Sequence, residues 1–324
     1  MKKNQSTGFF NFRLGSLSLA AITDGHVYVK RVRPVQTPES TPAEIENALR
    51  SAAVDKVLME SFVPIDVVDG AINMLVVQKD HKVILIDTGF GYMGNSEVIL
   101  PEGLIMLPGM VRKAGKLLEN MEDAGIAADD ITDIVLTHAH IDHLGGILDA
   151  AGNEVFKNAA IHMSQVEYDF WTSEQPDFSN SRAADNLPSV KLATHTLGKI
   201  KNRLAFFNNG DILFDCMQVI IAPGHTPGQA MLNIFSDGEE LLHIVDIAYN
   251  AELVFPHPEW GANLDADFQQ AILTRKQYFE ELVQSRKRAF GCHLPWPGLG
   301  FVRKEDNTYR WVPQNFSTPQ LFDY

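Results

Sequence analysis

The chain has 324 residues, 45% of them hydrophobic and 21% charged, and its 27 Lys and Arg stand against 41 Asp and Glu, a formal charge of −14. A chain this long buries roughly three-quarters of its unfolded surface, so it needs no disulfide or metal merely to fold, and its composition excludes a disordered chain. The acidic balance argues against a nucleic-acid partner, because a phosphate backbone would be repelled.

Two Cys, Cys216 and Cys292, are too few for a disulfide framework and fit a reducing compartment. The start carries two Lys and a short apolar stretch, residues 14–22, that follows Arg13 and lacks a small-residue cleavage site. A cytoplasmic protein is therefore expected, with loss of a leader peptide as the alternative. No run reaches the roughly 18 apolar residues of a membrane span.

In chain order, residues 16–30 read as a hairpin turning at Asp24-Gly25. Residues 37–58 read as a polar helix after Pro38. Residues 71–77 and 82–86 form two β-rich runs joined by Lys79-Asp80-His81, the second ending in Asp87-Thr88-Gly89. A Gly- and Met-rich loop covers 101–110, followed by a helix from Val111 to Ala124 that stops at Gly125. A strand at 133–136 runs into Thr137-His138-Ala139-His140-Ile141-Asp142-His143-Leu144-Gly145-Gly146. A strand at 160–163 precedes a helix N-capped by Ser164. Residues 172–190 are rich in turn formers and read as a lid or loop, and 191–205 as a helix. Strands follow at 212–214, 217–221, 230–235 and 241–245, then a helix at 265–285 and a strand at 288–290 that delivers Cys292-His293. Alternating strands and helices make the class α/β.

The hexapeptide His138-Ala139-His140-Ile141-Asp142-His143 carries the chemistry. It follows a strand directly, where a short loop can aim several side chains at one point. In an extended segment residues 138 and 140 project to the same face, so two imidazoles can grip one ion. Asp142 and His143 fall in the turn before Leu144-Gly145-Gly146, where the bend can present them to a second ion. Imidazole and carboxylate suit zinc, and also iron, manganese or nickel. Further candidates sit at strand ends: His225 within Ala222-Pro223-Gly224-His225-Thr226-Pro227-Gly228, Asp246 after the run 241–245, and His293.

With these residues in order, the sequence resembles the metallo-β-lactamase superfamily over roughly residues 17–297. The Asp87-Thr88-Gly89 and Gly-His-Thr-Pro-Gly segments match as well. The resemblance implies a single αββα-sandwich domain over 1–324, with metals at one edge between two sheets. By motif match His138, His140 and His225 would hold one metal. Asp142, His143 and His293 would hold the second, with Asp246 bridging and Asp87 orienting a ligand His. The implied cofactors are two divalent ions, zinc first. The implied reaction is hydrolysis of an ester, lactone or phosphotriester by hydroxide formed from a shared water, with Asp142 and Tyr249 as catalytic groups. Asp at 246, where common zinc β-lactamases carry Cys, argues against antibiotic hydrolysis.

The nearest resemblance is to the methyl parathion hydrolase and acyl-homoserine-lactone lactonase branch. It rests on His293-Leu294-Pro295-Trp296-Pro297-Gly298, on the 163–171 segment, and on Tyr249, placed where the lactonases keep a carbonyl-contacting Tyr. Phe170, Trp171, Phe207 and Trp296 are candidates to line a substrate pocket, and Cys292 reads as a buried neighbour of the metals rather than a ligand. The expected partner is a small molecule, with neither nucleic acid nor membrane. A homodimer could bury the 103–110 loop and Phe316, Phe322 and Tyr324. The competing functions are a mononuclear iron oxygenase of the persulfide dioxygenase type and a non-catalytic binding protein of the same fold.

Overall fold

The computed structural model describes residues 8–31, 40–95, 110–183 and 185–315. The Met-rich stretch 101–109 and the aromatics Phe316, Phe322 and Tyr324 lie outside them.

Among the described residues the chain builds two mixed sheets. The first contains β1 (Phe9–Leu14), β2 (Leu17–Lys30), β3 (Val67–Lys79), β4 (Lys82–Ile86), β5 (Met110–Lys113), β6 (Asp133–Leu136), β7 (Ala160–Ser164) and β8 (Leu204–Phe207). Its order is β1-β2-β3-β4-β6-β7-β8, with β5 paired to β2. The second contains β9 (Ile212–Leu213), β10 (Met217–Ile221), β11 (Ala230–Ser236), β12 (Glu239–His243), β13 (Arg288–Phe290), β14 (Leu299–Glu305) and β15 (Thr308–Pro313), in the order β15-β14-β13-β12-β11-β10-β9. The helices are α1 (Pro42–Glu60), α2 (Leu117–Asp123), α3 (Ile141–Leu144), α4 (Gln165–Thr172), α5 (Leu187–Ile200) and α6 (Phe268–Ser285).

The strand period sets the layers. On β3, Leu75 and Val77 face the second sheet, where Val219, Leu232 and Ile234 meet them. Their neighbours Met74 and Val76 face outward against Met121 of α2 and Leu197 of α5. The outer face of the second sheet, with Leu242 and Ala289, packs on Phe279 and Leu282 of α6 and Leu58 of α1. Both faces of the central strands are covered, which is why they read as continuous apolar runs. The result is the αββα sandwich. Strands β4, β6, β7 and β8 are parallel neighbours, as are β12 and β13. Their carboxyl ends therefore deliver the loops after β4, β6, β12 and β13 to one edge, the usual place for a site in such sheets.

Three expected elements are corrected. Residues 17–30 form one continuous strand with a bulge at Thr23/Gly25, not a hairpin. The Asp24 carboxylate is buried and accepts the backbone N–H groups of Phe90 and Leu117, each at 2.9 Å. Gly25 has φ +128°, and a Cβ there would stand 2.2 Å from the Lys113 carbonyl oxygen, so this Gly serves close strand approach rather than a turn. The helix expected at 111–124 is β5 followed by α2, because Met110–Lys113 pair with Val29–His26 and Gly115 (φ +81°) breaks the chain between them. The loop expected at 172–190 is shorter: Pro188 stands in the first turn of α5, which starts at Leu187, and residues 204–205, read as the end of that helix, open β8.

Candidate metal centre

The hexapeptide leaves β6 in extended conformation, and His140 (φ −76°, ψ 159°) is the N-cap of α3. The extended part points His138 and His140 the same way. The single helical turn then swings Asp142 and His143 toward the loops after β12 and β13. His225 arrives on the turn between β10 and β11, Asp246 in the 3-10 turn after β12, and His293 after β13.

Two donor sets result, each with ligand atoms within 4.8 Å of one another. The first is His138, His140 and His225: His140 Nδ1 lies 3.1 Å from His138 Nε2 and 2.8 Å from His225 Nε2. The second is His143, Asp246, Cys292 and His293. Asp246 stands between the sets, with Oδ2 3.3 Å from His225 Nε2 and 3.1 Å from His293 Nε2, and Oδ1 3.4 Å from His143 Nε2. Asp142 Oδ2 is 3.4 Å from His293 Nε2 and 3.8 Å from His143 Nε2, and its side chain is more exposed than that of Asp246, 18% against 6%. The Cys292 thiol donates to Asp246 Oδ1 at 3.0 Å. Burial pushes that thiol pKa up, so it is a neutral donor here.

Four of the five rings are gripped from behind. His143 Nδ1 lies 2.8 Å from Asp87 Oδ2, His225 Nδ1 2.8 Å from Asp265 Oδ1, His293 Nδ1 2.8 Å from the Ala71 carbonyl, and His138 Nδ1 3.2 Å from the Thr137 hydroxyl. Asp87 is itself fixed by the Thr137 N–H and hydroxyl at 2.8 and 2.7 Å. His140 instead meets the edge of the Trp171 ring, with centroids 5.4 Å apart.

Burial holds the His138 and His140 pKa values well below the ordinary range, with neighbouring imidazoles adding to it. Burial opposes charge most strongly on His143 and His293 too, but Asp246, Asp87 and Asp142 around His143, and Asp246 and Cys292 beside His293, together outweigh it, and both rings are raised well above. Desolvation likewise opposes charge on Asp246, yet His293 and His143 hold it well below the carboxylate range. Five imidazoles and two carboxylates converging in a buried pocket fit divalent cations. His143 Nε2, buried and without a hydrogen-bond partner, is the orphaned atom a cation would satisfy.

The remaining sequence candidates fall elsewhere. Tyr249 donates its hydroxyl to the Trp260 carbonyl at 2.7 Å. Trp171 is buried behind His140, donating its indole N–H to Glu167 Oε1 at 2.6 Å. Phe170 packs on Phe178 of the 173–186 loop, centroids 5.0 Å apart. Phe207 is a correction: it lies on β8, buried in the layer between the sheets with Met217 and Val219, because its strand position points inward. Trp296 is 37% exposed, on the loop after His293. Missed in the sequence were Glu167, Asp265 and Arg275, all fully buried. Arg275 donates to the carbonyls of Ile247 and Pro258, tying the loop after Asp246 to α6. None carries a local sequence signal, since the partners that tie them to the site lie 17 to 61 positions away in the chain.

Comparison with known proteins gives the family and the fold. Residues 67–293 match the model of the Metallo-beta-lactamase superfamily. The dizinc quorum-quenching lactonase AidC, solved with the product N-hexanoyl-L-homoserine, is similar at 34% identity over 96% of this chain and 99% of that one, TM-score 0.82. The hydrolase AbOPH of the beta lactamase superfamily shares the fold at 24% identity over 97% of this chain and 100% of that one, TM-score 0.77. A probable metallo-hydrolase of Mycobacterium tuberculosis is 26% identical over 198 residues, 55% of this chain. That match covers 57% of the relative, so the chain spans little more than half of its length.

Proposed function

This chain belongs to the metallo-β-lactamase superfamily, and from that premise we propose that it is a metal-dependent hydrolase that uses two divalent ions, zinc first, to open a neutral lactone. The observation that carries the two-ion reading is the position of Asp246, whose carboxylate oxygens reach His225 of one donor set and His143 and His293 of the other. An anionic group between two sites is what allows two like charges to sit close together. The lactone reading is supported by likeness to AidC over nearly the full chain. Esters and phosphotriesters are the neighbouring substrate classes.

Divalent cations bound here would supply Lewis acidity toward a carbonyl or phosphoryl oxygen and lower the pKa of a water. The chain's own residues do the rest. His138, His140 and His225 would hold one ion; His143, His293 and Asp142 the other, with Asp246 shared. Asp87, Asp265 and the Ala71 carbonyl accept from the outward nitrogens, which fixes the tautomer and aims the opposite nitrogen inward. Asp142, the more exposed carboxylate, can take a proton and pass it to the leaving oxygen.

The test is a panel of lactones, aryl esters and phosphotriesters on protein whose metal has been quantified by mass spectrometry. Two zinc-like ions per chain and preferential lactone turnover support the reading. A single iron with oxygen-dependent turnover of a persulfide sinks it in favour of a mononuclear oxygenase, and a metal-loaded protein inert on the whole panel favours a binding role.

A further inference from the structure

The Glu167 side chain is fully buried on the first turn of α4 and accepts four hydrogen bonds from three segments. Its Oε1 takes the Ala139 N–H at 3.0 Å and the Trp171 indole N–H at 2.6 Å. Its Oε2 takes the Thr226 hydroxyl at 2.7 Å and the Gly228 N–H at 3.0 Å. Ala139 lies between His138 and His140, and Thr226 follows His225. The two segments that supply the first donor set are thus tied to one carboxylate.

We propose that Glu167 is a positioning residue for the three-histidine set, pinning the 138–140 loop to the 223–228 turn and thereby fixing the point where His138, His140 and His225 converge. The inference rests on the reading that this set holds one of two ions. The side-chain type follows from the count of donors: only a carboxylate offers four acceptor sites with no N–H of its own. A Gln would turn its amide N–H groups toward the Gly228 N–H and lose that contact. Glu167 acts on His140 by a second route. Among the described residues His140 has no hydrogen-bond acceptor behind its ring, and the Trp171 ring that abuts it is itself held by Glu167. The other donor set has separate supports, Asp87 and the Ala71 carbonyl, neither of which touches Glu167.

That separation makes the test site-specific. Metal bound per chain is measured by elemental analysis across a chelator series for wild type, Glu167→Gln, His225→Ala and His293→Ala, together with thermal unfolding of each metal-free protein. In Glu167→Gln the ion that His225→Ala loses is expected to bind ~10–100-fold more weakly, the usual cost of removing a group that orients ligands. The ion that His293→Ala loses should be held as in wild type. Unchanged affinity for both ions overturns the proposal, as does equal weakening of both, which would mark a merely structural role. Thr226→Val removes one of the four donors at constant volume and serves if Glu167→Gln does not fold: several-fold weakening of the same ion is expected, and wild-type affinity overturns the proposal. A wild type that binds one ion, lost in His225→Ala, defeats the two-ion reading alone, whereas a single ion lost only in His293→Ala overturns the proposal as well.

Discussion

Asp87 and His143 meet at 2.8 Å, Oδ2 to Nδ1, from loops that follow neighbouring parallel strands of the first sheet. Asp87 has φ +59°, a left-handed conformation that Asp and Asn tolerate better than most side chains. The bent backbone turns the carboxylate back under Thr137 and against the ring, leaving His143 Nε2 aimed at Asp246.

Asp87→Asn keeps that backbone conformation and the volume but removes the charge. It is expected to weaken the ion at the His143 and His293 set ~10–100-fold while sparing the three-histidine set. Chelator competition with elemental analysis measures it, and an unchanged metal content at every chelator concentration would refute the orienting role.

The two donor sets should lose their ions at different pH. His143 and His293 carry raised pKa values, so without a cation they hold protons that a cation must displace, and affinity falls as pH drops through the raised values. His138 and His140 lie well below the ordinary value, stay neutral to lower pH, and have no proton to give up. As pH falls through those raised values toward the ordinary imidazole range, the second set should therefore weaken first. Metal retention of His225→Ala and His293→Ala, followed over that window, reads the order, and the reverse order would contradict it.

Tyr249→Phe tests a role the sequence suggested. The hydroxyl is committed to the Trp260 carbonyl, and burial pushes the phenol pKa up. The expected result is loss of one hydrogen bond, about 1 kcal/mol of stability, with lactone kcat within about threefold of wild type. A kcat drop of a hundredfold with unchanged stability would instead place the hydroxyl on the substrate carbonyl.

Gly224 holds the His225 turn against α6. With φ +131°, a Cβ there would stand 2.2 Å from the Ala271 backbone nitrogen. Gly224→Ala is expected to cost more than about 2 kcal/mol and to weaken the three-histidine ion. Gly210→Ala, also at positive φ (+89°) but with nothing within 4 Å, should cost only the local strain of about 1 kcal/mol. Thermal denaturation of the two metal-free variants checks the difference.

Ion binding should also show as stability. A cation at about 100 times its Kd stabilises the folded chain by about 2.7 kcal/mol, so chelation should lower Tm, and a Tm indifferent to chelator would argue that neither set holds an ion.

The sequence by itself determined the α/β class and singled out the candidate donor residues, because both rest on local spacing. His138 and His140 share a face in any extended segment, and the near-continuous apolar run at residues 71–77 fits a strand covered on both sides. Local spacing also misled. Asp24-Gly25 has turn chemistry, yet β2 runs straight through it because pairing with β3 and β5 satisfies its backbone and two remote N–H groups satisfy the carboxylate. Residues 110–113 became strand for the same reason.

Only the tertiary structure decided what stands behind the donors. Glu167 meets Thr226 across 59 positions and His225 meets Asp265 across 40. A buried carboxylate in a helix has no period or motif of its own; its partners are chosen by which loops the sheets bring to the same edge. Local spacing thus specifies the atoms that can face a cation, while long-range packing sets where they converge.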